Sequence, residues 1–190
     1  MQISLIKHQQ NLVQTANVYS PYLQFAVTLT MKKKAKIRTK RFENWDGEYY
    51  ERWVWLNDEI ARSVLRYFNA RLTYYAYGKD ALKTSTKFHS QPLVIATFEK
   101  TKDGRLHIHA AIGNLPTTYT YMAHEWVSKA WADCDFAYRH IRTKKLHDTY
   151  GWLDYMAKET SIGNMDAICI DSIKQPQSIA QLVGAESSYS

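Results

Sequence analysis

Cysteine is scarce in this chain: two residues in 190, Cys134 and Cys169. They match no paired metal-binding motif and build no disulfide framework. Long apolar runs are missing too. No stretch approaches the ~18 consecutive apolar residues of a membrane span. The opening residues, "MQISLIKHQQNLVQ", lack the basic-then-apolar pattern of a secretory signal. There are no internal repeats, no low-complexity segments and no GxxxxGK[ST] phosphate loop. These absences lead us to expect a cytoplasmic protein with no disulfides.

What is present suits one domain. The chain is 45% hydrophobic over 190 residues, enough for a real core. We expect a single domain over 1–174 and a polar, mobile tail over 175–190. The net charge is +7, and the stretch "KKKAKIRTKR" (32–41) holds seven basic residues and no acidic one. These are Lys32, Lys33, Lys34, Lys36, Arg38, Lys40 and Arg41. A run of this kind is either a solvated loop or a polyanion-binding segment. Six tryptophans and fourteen tyrosines serve either a core or base stacking.

Periodicity divides the chain. "YLQFAVTLTM" (22–31) reads as a strand, flanked by Pro21 and the basic run. Residues 47–75 read as one long helix, because Trp53, Val54, Ile60, Ala61, Val64, Leu65, Phe68 and Leu72 recur at three- and four-residue steps. Arg52, Arg62, Arg66 and Arg71 on this segment add positive charge. Strands follow at 92–100 and 105–113, then a helix at 118–133 and a strand at 136–143. A helix at 147–161 takes Asp148 or Thr149 as its N-cap and ends at Gly163. A last strand is expected at 165–173. The order β-α-β-β-α-β-α-β predicts an α+β fold. Its antiparallel-rich central sheet has a ferredoxin-like split β-α-β core, with helices packed mainly on one face.

Inside "RLHIHAAIG" (105–113), His107 and His109 are two residues apart. In a strand they point to the same face, roughly 7 Å apart. The preceding "KDG" suits a three-residue hairpin loop, with Gly104 at the left-handed position. Thr101 then pairs with Arg105, and Glu99 lies opposite His107. The carboxylate and both imidazoles share one side of the sheet. A two-residue loop of Asp103 and Gly104 would instead turn Glu99 to the other face. Two imidazoles and one carboxylate form a mixed nitrogen and oxygen set suited to Mg²⁺, Mn²⁺ or another first-row divalent ion. Fewer than four protein ligands leaves positions for a substrate oxygen.

The final helix carries "LDYMAKE", with Tyr155 and Lys158 three residues apart on neighbouring positions of one face. A tyrosine hydroxyl can act as a covalent nucleophile, and a nearby lysine favours its phenolate and neutralises phosphate charge. Tyr150 lies about 140° away around the helix at ~100° per residue, so Tyr155 is the expected nucleophile.

The ordered set of "FAVTLT", Glu99 with "HIHAAI", and "DYMAK" resembles the HUH endonuclease superfamily. Within it, the chain resembles the single-tyrosine rolling-circle replication initiators of plasmids, phages and small circular DNA viruses. The resemblance covers roughly residues 23–160. It implies that Glu99, His107 and His109 hold a divalent ion, Mg²⁺ or Mn²⁺. It also implies that Tyr155 attacks single-stranded DNA at a replication origin, possibly a hairpin there, to give a 5′-phosphotyrosine and a free 3′-hydroxyl. Lys158 would contact phosphate or orient the site. A separate helicase and polymerase would be partners, and no membrane is involved. The insertion at about 32–91, with its basic run and long helix, is longer than in compact viral domains. A single-tyrosine transposase and a non-cleaving DNA-binding regulator are the alternatives. The Glu99 position and the Tyr-x-x-Lys helix favour the replication group.

Overall fold

The computed structural model describes residues 18–40, 49–82 and 91–161. The elements are β1 (Leu23–Met31), β2 (Lys34–Lys40), β3 (Tyr49–Trp55), α1 (Asp58–Tyr77), β4 (Leu93–Lys100), β5 (Leu106–Gly113), α2 (Thr120–Ala132), β6 (Ala137–Lys145) and α3 (Thr149–Ser161). Four strands form one sheet in the order β4-β5-β1-β6, with every neighbouring pair antiparallel. This is the expected α+β, ferredoxin-like arrangement. The β1-α1-β4 and β5-α2-β6 connections interlock, so each crossover pair encloses a strand of the other.

Alternation along β1 divides the molecule into layers. Phe25, Val27, Leu29 and Met31 are buried towards α1 and α2, as period-two side chains on one sheet face must be. α1 contributes Ala61, Val64, Leu65, Phe68 and Leu72 at helical spacing. α2 adds Ala123, Val127, Ala130 and Trp131. Phe68 meets Trp131 edge-to-face at 5.9 Å, a favoured aromatic geometry. The opposite face carries a smaller cluster, in which Leu153, Met156 and Ala157 of α3 cover Leu93, Ile95 and Ala111. Two helices thus share one face and the third takes the other. At the end of β5, the backbone of Tyr22 runs so close that a Cβ on Gly113 would lie 2.0 Å from its carbonyl oxygen. Only glycine permits that approach.

The expected helix over 47–75 is corrected. Residues Tyr49–Trp55 form β3, and the helix begins at Asp58. Trp53 and Val54 fit the helical stripe by spacing, yet "YYERWVW" is rich in aromatic and β-branched strand formers. Its partner is the basic run, which pairs with it in register from Lys34↔Trp55 to Lys40↔Tyr49. The Asn57 side chain then accepts a hydrogen bond from the Ile60 backbone N–H at 2.8 Å, which caps α1. So the basic run is strand β2 over Lys34–Lys40, not a loop. Ala35 is buried and Ile37 packs against the core. At α3, Asp148 Oδ1 accepts from the Gly151 N–H at 2.8 Å, which makes Asp148 the capping side chain. The expected strand at 165–173, the end at Gly163 and the tail lie outside the described residues. Among the described residues, no helix is long and apolar enough to cross a membrane.

Candidate functional site

The β4–β5 hairpin has the three-residue loop. Gly104 sits at φ 76°, and its N–H donates to the Thr101 carbonyl at 2.8 Å. The Thr101 N–H donates to the Arg105 carbonyl at 2.9 Å. Counting back along the ladder pairs Glu99 with His107 and Thr97 with His109. Val94, Ala96 and Phe98 face α1 and α2, so Glu99 emerges on the α3 side together with both histidines.

There the three ligand atoms lie within 4.8 Å of one another. Glu99 and His107 are half-buried and His109 is buried. Glu99 Oε2 is 2.5 Å from His109 Nε2, and Thr28 Oγ1 is 3.2 Å from His109 Nδ1. Thr28 is opposite His109 in the β1–β5 ladder. When Nδ1 donates its proton to the threonine hydroxyl, Nε2 presents a lone pair to a carboxylate oxygen. Two electron-rich atoms that close need a cation between them, either a proton or a metal ion. Ligands about 2.1 Å from a divalent ion stand roughly 3–4 Å apart, a range bracketed by the 2.5 Å of Glu99 to His109 and the 4.8 Å within which all three atoms lie. The three side chains can therefore hold a metal ion, with one side open because two of them are only half-buried.

α3 brings Tyr155 to this cluster. Its buried side chains Leu153, Met156 and Ala157 clamp the helix on β4 and β5. The opposing turn then points over the histidines. The Tyr155 hydroxyl donates to Glu99 Oε2 at 3.3 Å. Its ring stands edge-on to His109 at 5.1 Å. Trp152, three residues earlier, stacks on Tyr155 at 5.4 Å and an interplanar angle of 21°. Its indole N–H donates to the Ala110 carbonyl at 3.2 Å, which locks the pair to β5. Tyr150 is exposed and belongs to the first turn of the helix. Lys158 follows Tyr155 on α3, and its side chain lies outside the described residues.

Four site residues escaped the sequence reading, Thr28 among them. Trp152 carries the same i, i+3 signal that paired Tyr155 with Lys158. Arg142 and Lys144 of β6 line a pocket of about 210 Å³ with Ala26, Thr28, Trp152 and Tyr155. Their only sequence signal is alternation in "AYRHIRTKK", and the pairing Thr28↔Arg142 and Ala26↔Lys144 puts them on this face.

The basic run lies elsewhere. Lys34, Lys36 and Arg38 project from β2 and are exposed. Lys32 donates to the Asp135 carbonyl at 3.1 Å and Lys33 to the Asp103 carbonyl at 2.5 Å. Lys36 forms an ion pair with Glu51, which holds the Glu51 carboxyl below its usual range. Lys40 is the last residue of β2 with its side chain outside the described residues, and Arg41 lies outside them altogether. Of the arginines assigned to the long helix, Arg52 is on β3. Arg71 is committed to Asp133 at 2.5 Å and Tyr75 at 3.2 Å, and Arg66 donates to Ser63.

No protein-family model, curated protein or solved structure matches this chain.

Proposed function

We propose that the protein is a metal-dependent endonuclease of the HUH type. It would nick and rejoin single-stranded DNA through Tyr155 and so initiate rolling-circle replication of a plasmid or phage. One observation carries the reading: a tyrosine hydroxyl 3.3 Å from the carboxylate of a Glu-His-His cluster. The nucleophile and the phosphate-binding centre are thereby within reach of one reacting atom.

Glu99, His107 and His109 would hold Mg²⁺ or Mn²⁺, whose mixed nitrogen and oxygen ligation they suit. When bound, the ion withdraws charge from a phosphate oxygen and fixes the phosphate for in-line attack. Tyr155 Oη forms the new bond to phosphorus. The P–O3′ bond breaks with its electron pair on O3′, which takes up a proton from water and leaves as a 3′-hydroxyl. The phenolic proton leaves to solvent, to which Tyr155 is exposed, because Glu99 would be committed to the ion. Trp152 holds the tyrosine ring, and Arg142 and Lys144 attract the flanking phosphates. The phosphotyrosine conserves the bond's energy, so a 3′-hydroxyl can reverse the step without ATP. Duplex unwinding and DNA synthesis fall to a separate helicase and polymerase.

The test is a covalent adduct on a denaturing gel after mixing the protein with single-stranded DNA libraries and Mn²⁺. Tyr155→Phe and EDTA should each abolish it. An adduct that survives Tyr155→Phe and disappears in Tyr150→Phe moves the nucleophile. No adduct with any library or origin sequence sinks the reaction and leaves a DNA-binding regulator.

A further inference from the structure

We propose that the outer face of the β2–β3 hairpin is a stacking platform for single-stranded DNA, built from Trp53, Trp55 and Tyr49 with Lys34 and Arg38. The ligand is taken from the function proposed above, while the binding itself needs no cleavage.

The hairpin is a two-stranded sheet apart from the main four. Its inner face is anchored by Ala35, Ile37 and Val54, which belong to the main core. The register puts Lys34 opposite Trp55 and Lys36 opposite Trp53, and cross-strand partners share a face. Anchoring the inner face therefore turns both indoles outward. Trp53 is 62% exposed and Trp55 67% exposed, on a surface where most tryptophans would be covered.

Cations accompany the rings. Lys34 Nζ lies 5.1 Å from the Trp53 ring centre and 5.4 Å from that of Trp55. The Arg38 guanidinium lies 4.3 Å from the Tyr49 ring. Such contacts hold an aromatic side chain in place without burying it. Among the described residues, Glu51 supplies the acid on this face and is paired with Lys36. The surface is thus positive and aromatic along one line. A nucleic acid single strand offers the complement, with phosphates for the cations and free base faces for the rings. A duplex does not, because its base faces are already stacked on each other.

The platform also borders the β4–β5 hairpin, on the sheet face opposite the Glu-His-His cluster. Trp55 and Lys33 line one pocket with Lys100 and Leu106, which follow Glu99 and precede His107 in sequence and project to the other face. A strand leaving the cluster around the β4–β5 turn meets Trp55 first and Trp53 about 7 Å further along β3.

The test is fluorescence anisotropy of a labelled oligo(dT), with Tyr155→Phe protein in EDTA so that cleavage contributes nothing. Trp53→Thr with Trp55→Thr keeps strand propensity and should weaken binding by about tenfold or more. Each single variant should fall between, and the double Phe variant should recover most of the loss. Lys34→Ala should lower the slope of log affinity against log salt by about one, whereas the double Thr variant should leave it unchanged. Unchanged binding in the double Thr variant overturns the platform. So does sedimentation showing that the tryptophans hold two copies together while oligonucleotide binding persists without them. Tryptophan-dependent binding by a protein that never forms an adduct supports the platform and removes the nicking reaction alone.

Discussion

Thr28 and His109 face each other across the β1–β5 ladder, with Thr28 Oγ1 3.2 Å from His109 Nδ1. When Nδ1 donates to this hydroxyl, the tautomer that leaves Nε2 free for an ion is favoured. A central strand thereby tunes a ligand carried by its neighbour. Thr28→Val keeps the shape and removes the acceptor. Mn²⁺ affinity, read by titration calorimetry, should fall 10- to 100-fold as for other partners of metal-ligating histidines, and Thr28→Ser should restore it. Equal affinity in Thr28→Val would detach the threonine from the site.

The β4–β5 loop sets the face on which Glu99 emerges. Deleting Lys102 leaves an Asp-Gly loop of two residues that is still flanked by Thr101 and Arg105, so Glu99 stays opposite His107. The deletion should leave Mn²⁺ affinity close to that of the intact protein, whereas Glu99→Ala should lose it. Lost Mn²⁺ affinity in the deletion would mean that the three-residue loop itself positions the carboxylate.

Arg142 and Lys144 should act on phosphate and not on base identity. Arg142→Ala and Lys144→Ala are expected to weaken single-stranded DNA binding about equally for all sequences, each lowering the salt slope by about one. A sequence-selective loss would assign them to base recognition instead.

Phe68 is fully buried against Trp131, whereas Tyr67 beside it on α1 is exposed. Phe68→Ala should cost about 3–5 kcal/mol in urea unfolding, and Tyr67→Ala within about 0.5 kcal/mol of zero. Similar values for both would place the helix in the wrong rotation.

Cys134 is buried, and burial pushes its thiol up to about 12. Because the thiolate is the reactive form, a Cys169→Ser protein should leave Cys134 unmodified by thiol reagents at pH 8 until denatured. The fold accepts the neutral thiol, so ionisation above the ordinary value of 9.0 opposes folding. Stability should therefore fall as pH rises through that range. Rapid native-state labelling at pH 8 would contradict this burial.

The hairpin register was legible to within two alternatives because it is a local property. "KDG" suits a three-residue loop with a left-handed glycine, and with that loop period-two alternation carries Glu99 opposite His107; the Thr101 N–H bonded to the Arg105 carbonyl then excludes the two-residue alternative. The helix boundary near Trp55 was not legible. Trp53 and Val54 satisfy a helical stripe and a strand equally well over so short a span. The deciding partner, β2, is separated from them in sequence. The same reason hid the strand in the basic run, where Ala35 and Ile37 alone mark the inward face.

The sequence by itself determined the α+β class, the shared face of His107 and His109, the two registers open to Glu99 and the helical placement of Tyr155. Each depends on turn chemistry or side-chain period within a few residues. Only the tertiary structure decided that Thr28 supports His109, that Trp152 stacks on Tyr155 above it, and that Arg142 and Lys144 flank both. Those neighbours come from β1, α3 and β6. They meet because the order β4-β5-β1-β6 is set by how the whole chain buries its two apolar faces, and no single stretch encodes that order.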